Sequence, residues 1–206
     1  QRKRNSRRHK KRLISVIHLI GPRNPIKDVV IINTTSRSRT WGSMLSPFFL
    51  GPIPLYDGTY ALNMENAWQY AKVYDIHVDA NQDPTPEYFA WARAGWNKNY
   101  ADRYPMGKGA KPLYSWWNGK KLTYIEARRA IYAPLYANAI EKTPAYKTLL
   151  ELYKQQGEIW LWDFDAYDHR KLNMSYMDVL MHPTKKMGHA FVLAMMLENQ
   201  RVWEMK

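Results

Sequence analysis

With 206 residues and 46% hydrophobic content, the chain has the size and composition of one well-cored globular domain. No apolar run approaches the ~20 residues a membrane helix needs, and no apolar segment with a small-residue cleavage site follows the basic start. Cysteine is absent, which excludes disulfides, zinc–thiolate centres and cysteine nucleophiles, and the expectation is a soluble, cytoplasmic protein.

The net charge of +13 is concentrated at the start of the chain. Residues 1–12 carry Arg2, Lys3, Arg4, Arg7, Arg8, Lys10, Lys11 and Arg12 with no acid, leaving +5 on the remainder. Such a self-repelling run is expected to be disordered without a polyanion. It reads equally well as an arm that binds DNA or RNA through phosphate charge, or as a solubilising or targeting tail. The rest, 13–206, reads as a single domain.

Two short β-branched runs come first, LISVIHLIG (13–21) and KDVVIINTTS (27–36), separated by the breaker-rich PRNPIK, and both are predicted strands. PIPLYDGTYAL (52–62) holds Asp57-Gly58 between apolar residues, a strong hairpin signal. A helix is predicted from Asn63 as N-cap through NMENAWQYAKVYD (63–75). Thr85 and Pro86 open the next helix, Thr123 and Glu126 have capping-box spacing, and Thr143 and Pro144 open a further helix that Gly157 can end. IWLWDFDAYDHRK (159–171) is an apolar run leading into acids. MGHAFVLAMMLENQRVW closes the chain with a half that is apolar nearly all round and so belongs deep in the core. Strands first and helices after make an α+β arrangement, mostly helical with a small N-terminal sheet and hairpin region.

The helix from Asn63 carries the most informative pattern. At ~100° per residue, Glu65, Trp68, Gln69 and Lys72 share about one third of its circumference, while Met64, Ala67, Ala71 and Tyr74 form a neighbouring core-like arc. Periodicity alone favours a solvated face, with Glu65 complementing the helix dipole. The dipole and free N–H groups of a first turn favour the ionised form, so Glu65 is expected to be a carboxylate suited to polarising water or stabilising a developing cation.

The stretch LSPFFLGPIPLYDGTYALNMENAWQYAKVY (45–74) resembles the signature of the NADAR family, which has the YbiA-like fold. Ser46, Phe48, Asp57, Gly58, Glu65, Gln69 and Lys72 match its pattern in order. MGKGAKPL before SWW, ARRAIYAPLYANAI, AYKTLLEL with FDAYDH, and KKMGHAFVLAMMLEN resemble later family elements, so the likeness spans about residues 30–200. It implies an N-glycosidase acting on a ribose-phosphate or ADP-ribose-type ligand, including riboflavin-pathway ribosylamines or ADP-ribosylated guanine in nucleic acid. It calls for no metal and no cofactor. On this resemblance Glu65 is the catalytic carboxylate and Asp165 matches the acidic-loop position. Gln69 and Lys72 would hold ribose or phosphate. Ser46, Phe48, Asn66, Asp163, Tyr167 and Lys186 would line the pocket, and Trp68, Trp116 or Trp117 would stack on a base. Breaking a C1′–N bond gives the sugar oxocarbenium character that a carboxylate stabilises, and Asp163 or Asp165 would protonate the leaving group if burial raises its pKa.

The sequence departs from the family pattern at Asn66 (a His there), Pro47 (an Asn), Asp168 (an aromatic) and Lys185-Lys186 (Asn-Arg), and 169–184 is longer than the usual loop. These departures support an alternative, a catalytically altered binding module of the same fold, docked on nucleic acid through the basic arm. His169, His182 and His189 lack metal-ligand spacing and read as surface or capping residues. MGKGAKP reads as either a turn-rich connector or a ligand-covering loop, and Arg37 and Arg39 read as exposed, with a phosphate contact as the alternative.

Overall fold

The computed structural model describes residues 15–206. The basic arm lies outside the described residues. The fold is α+β, with three small sheets among which the helices are distributed.

The first sheet is parallel and holds β1 (Val16–Ile20), β2 (Ile31–Asn33) and β8 (Glu158–Trp162), in the order β1-β8-β2. Its central strand is the part of IWLWDFDAYDHRK that reads in sequence only as an apolar run before an acidic loop. Ile159 and Leu161 point into the core beside Ile17 and Leu19, which accounts for the alternating pattern of EIWLW. The order of strands before helices is therefore corrected, because a late strand completes the first sheet.

The predicted hairpin forms from β3 (Ile53–Pro54) and β4 (Tyr60–Ala61). Asp57 and Gly58 both adopt positive φ, 53° and 69°, the conformation that makes an Asp-Gly pair suited to a tight turn. The following helix, α1 (Met64–Gln69), is capped by Asn63, whose side chain accepts from the Asn66 amide. It is much shorter than the predicted 63–75. After Tyr70 the chain unwinds, and Lys72 and Val73 become β5, paired antiparallel with β6 (Tyr114–Trp117), which continues into β7 (Lys120–Leu122). All six residues of α1 are buried, so it has no solvated face.

The remaining helices start where their caps indicate. α2 (Pro86–Trp96) follows Thr85, and α3 (Tyr124–Ala127) has the Thr123–Glu126 capping box closed in both directions. A π-helical stretch, Arg128–Tyr132, carries α3 into α4 (Ala133–Ile140). α5 (Pro144–Gln156) begins on a Thr143 cap and ends at Gly157 in the left-handed region. α6 (Tyr176–Met181) lies within the long 169–184 segment, and α7 (His189–Leu197) is buried along its whole length at the centre of the core. Arg128, 1% exposed, ties these parts together. Its guanidinium donates to the carbonyls of Val179, Leu180, His182 and Lys185 and to the Tyr124 hydroxyl, gripping the end of α6 and the chain after it. No described helix is long and apolar enough to cross a membrane.

Candidate active site

α1 presents Glu65 and Gln69 one turn apart, and the turn after it brings Lys72 back to them. The Gln69 amide donates to Glu65 Oε1 at 3.0 Å, and Lys72 Nζ donates to Gln69 Oε1 at 3.0 Å, with the ammonium 5.2 Å from the Trp68 ring centroid. The row read from helical spacing thus exists, but its last member stands on a strand.

The first-turn N–H groups of α1 are not free. Met64 donates to the Leu50 carbonyl, Glu65 to the Pro47 carbonyl at 3.1 Å, and Asn66 to the Asn63 side chain. With those donors spent and Glu65 only 8% exposed, burial prevails and raises its pKa above the ordinary range; Gln69, Lys72, Arg103 and His189 oppose the rise. The expected preference for ionisation is corrected in direction. Lys72 is lowered to about 8, chiefly by burial, with Glu65 opposing and Lys186 reinforcing the drop.

The turn after β8 adds Asp163 and Asp165. Asp163 is 4% exposed. Its Oδ2 accepts from the Ala190 amide at 3.3 Å and lies 3.3 Å from His189 Nδ1. His189 Nε2 faces the Thr34 carbonyl at 2.8 Å and must carry a hydrogen, so its contact with Asp163 is bonding only if a second hydrogen lies between them. Gly188 makes room for this carboxylate, since a Cβ there would overlap Asp163 Oδ2. The pKa of Asp165 is raised by burial and then by Asp163, against the charges of Lys186, Arg103 and His189, and its Oδ2 lies 3.8 Å from Arg103. The buried Tyr132, edge-on to Trp68 at 5.1 Å, is held well above its usual pKa by burial and by the charges of Asp163, Glu65 and Asp165.

These contacts bring together Glu65, Trp68, Gln69, Lys72, Asp163, Asp165 and Lys186. They add Arg103 and Tyr132, which no local pattern marked, and His189, which reads in sequence as a surface or capping residue; the π-helical stretch that delivers Tyr132 has no sequence signature. Other expected members have different positions. Asn66 is fully buried, and its amide is consumed by the backbone: it donates to the carbonyls of Gly95 and Tyr100 and accepts from the Asp102 amide. These bonds hold the 95–102 backbone against α1. Ser46, 2% exposed, accepts from the Phe48 amide, so the 46–48 segment braces the first turn of α1 through the Pro47 carbonyl. Half-buried Phe48 lies on that segment. Trp117 packs edge-on against Tyr56 at 5.1 Å, and Trp116 against Phe89. Tyr167 turns onto Phe191 at 4.8 Å, beneath the Lys185 ammonium.

Of the histidines read as surface or capping residues, His182 does cap, accepting from the Lys185 amide. His169 is instead buried, stacked on Tyr176, and His189 is buried in the cluster. Gly107 and Gly109 lie in an exposed stretch with open space around them, the setting of a turn-rich connector.

Two open surface clefts lie elsewhere, about 380 Å³ beside β1 and the 168–171 turn and about 320 Å³ between α5 and the end of α7, and neither is lined by Glu65. Buried ionisable groups with displaced pKa values mark the candidate site better than concavity does.

Neither a curated protein nor a solved structure matches the chain. One family model matches, over residues 22–182, a span that includes Glu65, Asp163 and Asp165 and stops before α7. The chain belongs to that family, a family of unknown function designated DUF6939.

Proposed function

We propose that the chain is an N-glycosidase of NADAR type, hydrolysing the C1′–N bond of a ribose-phosphate or ADP-ribose-type substrate. The observation that carries this reading is the joining of Glu65, Gln69 and Lys72 into one hydrogen-bonded row beside the Asp163–Asp165 pair, with Arg103 and Lys186 at its edge. Cations at the rim suit a phosphate, and carboxylates below suit a sugar that becomes positively charged as the bond breaks.

In this mechanism Asp165, whose pKa is raised by burial and by Asp163, donates a proton to the departing nitrogen. Glu65 faces the sugar and takes a proton from the water whose oxygen bonds to C1′. Its raised pKa moves it toward the range in which a general base works best at neutral pH. Lys72, bonded to Gln69, supplies a point charge for phosphate, and Trp68 offers a ring face near it.

The position of Asn66 favours the enzyme over the binding-module alternative. Asn66, standing where the NADAR pattern has a His, points away from Glu65 into the backbone of 95–102, so this departure leaves the carboxylate row intact. The test is release of ADP-ribose with guanosine from ADP-ribosylated guanosine, and of amine from a ribosylamine 5-phosphate, compared between the wild type and Glu65→Gln. The variant is expected to lose at least ~10²-fold in turnover. Equal turnover by both proteins, or none by the wild type, would overturn the assignment.

A further inference from the structure

Three large rings are used neither by the core nor by the site. Trp160, Trp162 and Phe164 are half-buried, yet they are not among the partly buried side chains packed against the hydrophobic core. Because β8 alternates, its inward Ile159 and Leu161 leave Trp160 and Trp162 on the opposite face of the sheet. The parallel register sets His18 and Ile31 in one row with Trp160, and Asn33 and the buried Ile20 in the next row with Trp162.

The rings meet in two pairs, in successive rows of a strip. His18 lies flat on Trp160, with centroids 4.7 Å apart and planes at 14°, and its Nε2 is tied to Glu158 at 2.8 Å. Phe164 meets Trp162 edge-on at 4.9 Å. At this end, the Arg37 and Arg103 guanidinium groups lie 5.3 and 5.8 Å from the Phe164 centroid. A parallel sheet ordinarily has both faces covered, so a face that keeps half-buried indoles ending in two cations is open to a partner among the described residues.

We propose that this sheet face binds single-stranded nucleic acid, with bases stacking on Trp160, Trp162 and Phe164 and phosphates meeting Arg37 and Arg103. Charge complementarity supports this partner. The chain carries +13, and eight of its cations lie in residues 1–12, just before the edge strand β1. Spacing favours a single strand. Neighbouring outward residues on β8 are ~6.6 Å apart, about twice the ~3.4 Å step of a duplex strand, so bases must unstack to reach successive rings. A duplex keeps its bases paired and offers the strip only phosphate. The proposal shares Arg103 with the candidate site but does not depend on the glycosidase reading, since it concerns the sheet face and its test uses neither Glu65 nor turnover.

The test is fluorescence anisotropy of a short oligothymidine, a short oligouridine and a blunt duplex, each titrated with the full chain, alongside quenching of tryptophan emission. Single strands of one or both kinds are expected to bind more tightly than the duplex and to quench the indoles; the order of DNA and RNA names the source. Trp160→Leu and Trp162→Leu should each weaken single-strand binding on the order of tenfold and leave duplex binding, which the arm can supply, unchanged. Arg37→Glu, at an exposed position, should weaken single-strand binding and flatten its salt dependence, and it keeps the test decisive if a tryptophan variant fails to fold. Equal affinity for single strand and duplex, or single-strand affinity that survives all of these substitutions in folded proteins, would overturn the proposal.

Discussion

Replacing Lys72 with methionine isolates the cost of keeping a buried ammonium beside Glu65. Burial brings its pKa from 10.5 down to about 8. At ~1.36 kcal/mol per pH unit, this gap means the folded state holds the proton roughly 3 kcal/mol less tightly than the unfolded chain. Below pH 8 both states are protonated and the full cost is present. Between about 8 and 10.5 the folded state releases the proton first, so stability from this group rises with pH, and above 10.5 the cost is gone. Methionine retains most of the stem volume and removes the charge. Glu65 then loses a cation that opposes its own desolvation, which returns part of the gain, so the net stabilisation at neutral pH is expected at ~1–2 kcal/mol. For a chain of this size that is a rise in Tm of roughly 2–8 °C, accompanied by loss of turnover. Urea unfolding followed by tryptophan fluorescence from neutral to alkaline pH measures it. A variant less stable than the wild type at neutral pH, or a stability difference that stays constant through the alkaline range, would refute the reasoning.

Two further substitutions test the architecture of the site. Gly188→Ala would drive a Cβ into the Asp163 carboxylate and to 3.2 Å from Asp165 Cβ. Displacing both acids is expected to lower turnover ~10²-fold at a stability cost of ~1–3 kcal/mol, read from steady-state kinetics and thermal melting. Arg128→Met keeps the bulk but leaves the Val179, Leu180, His182 and Lys185 carbonyls without their donor. The loss is expected to be ~3 kcal/mol or more, and hydrogen exchange should show α6 and 182–186 opening before the rest of the chain.

Local chemistry was legible wherever one segment decides its own conformation. Asn63, Thr123 with Glu126, Thr143 and Gly157 act as the caps their types and spacing indicate, and Asp57-Gly58 makes its turn because both residues tolerate positive φ. The neighbourhood of Glu65, Gln69 and Lys72 was legible too, although for a partly mistaken reason. A helix of six residues followed by a tight turn returns Lys72 to Gln69 much as a longer helix would.

What the sequence by itself determined is therefore the set of caps and turns, the α+β class, the excess of positive charge and the row of polar residues that starts at Glu65. The tertiary structure alone decided that β8 lies between β1 and β2, pairing His18 with a strand whose Glu158 is 140 residues away, because parallel pairing between distant segments leaves no mark in either one. It likewise decided that Arg103, Tyr132 and His189 join the acids, that Asn66 turns to the backbone, and that the indoles of β8 face outward. It also set the direction in which the pKa of Glu65 moves, upward, because desolvation depends on everything packed around a carboxylate and outweighs the helix turn that carries it.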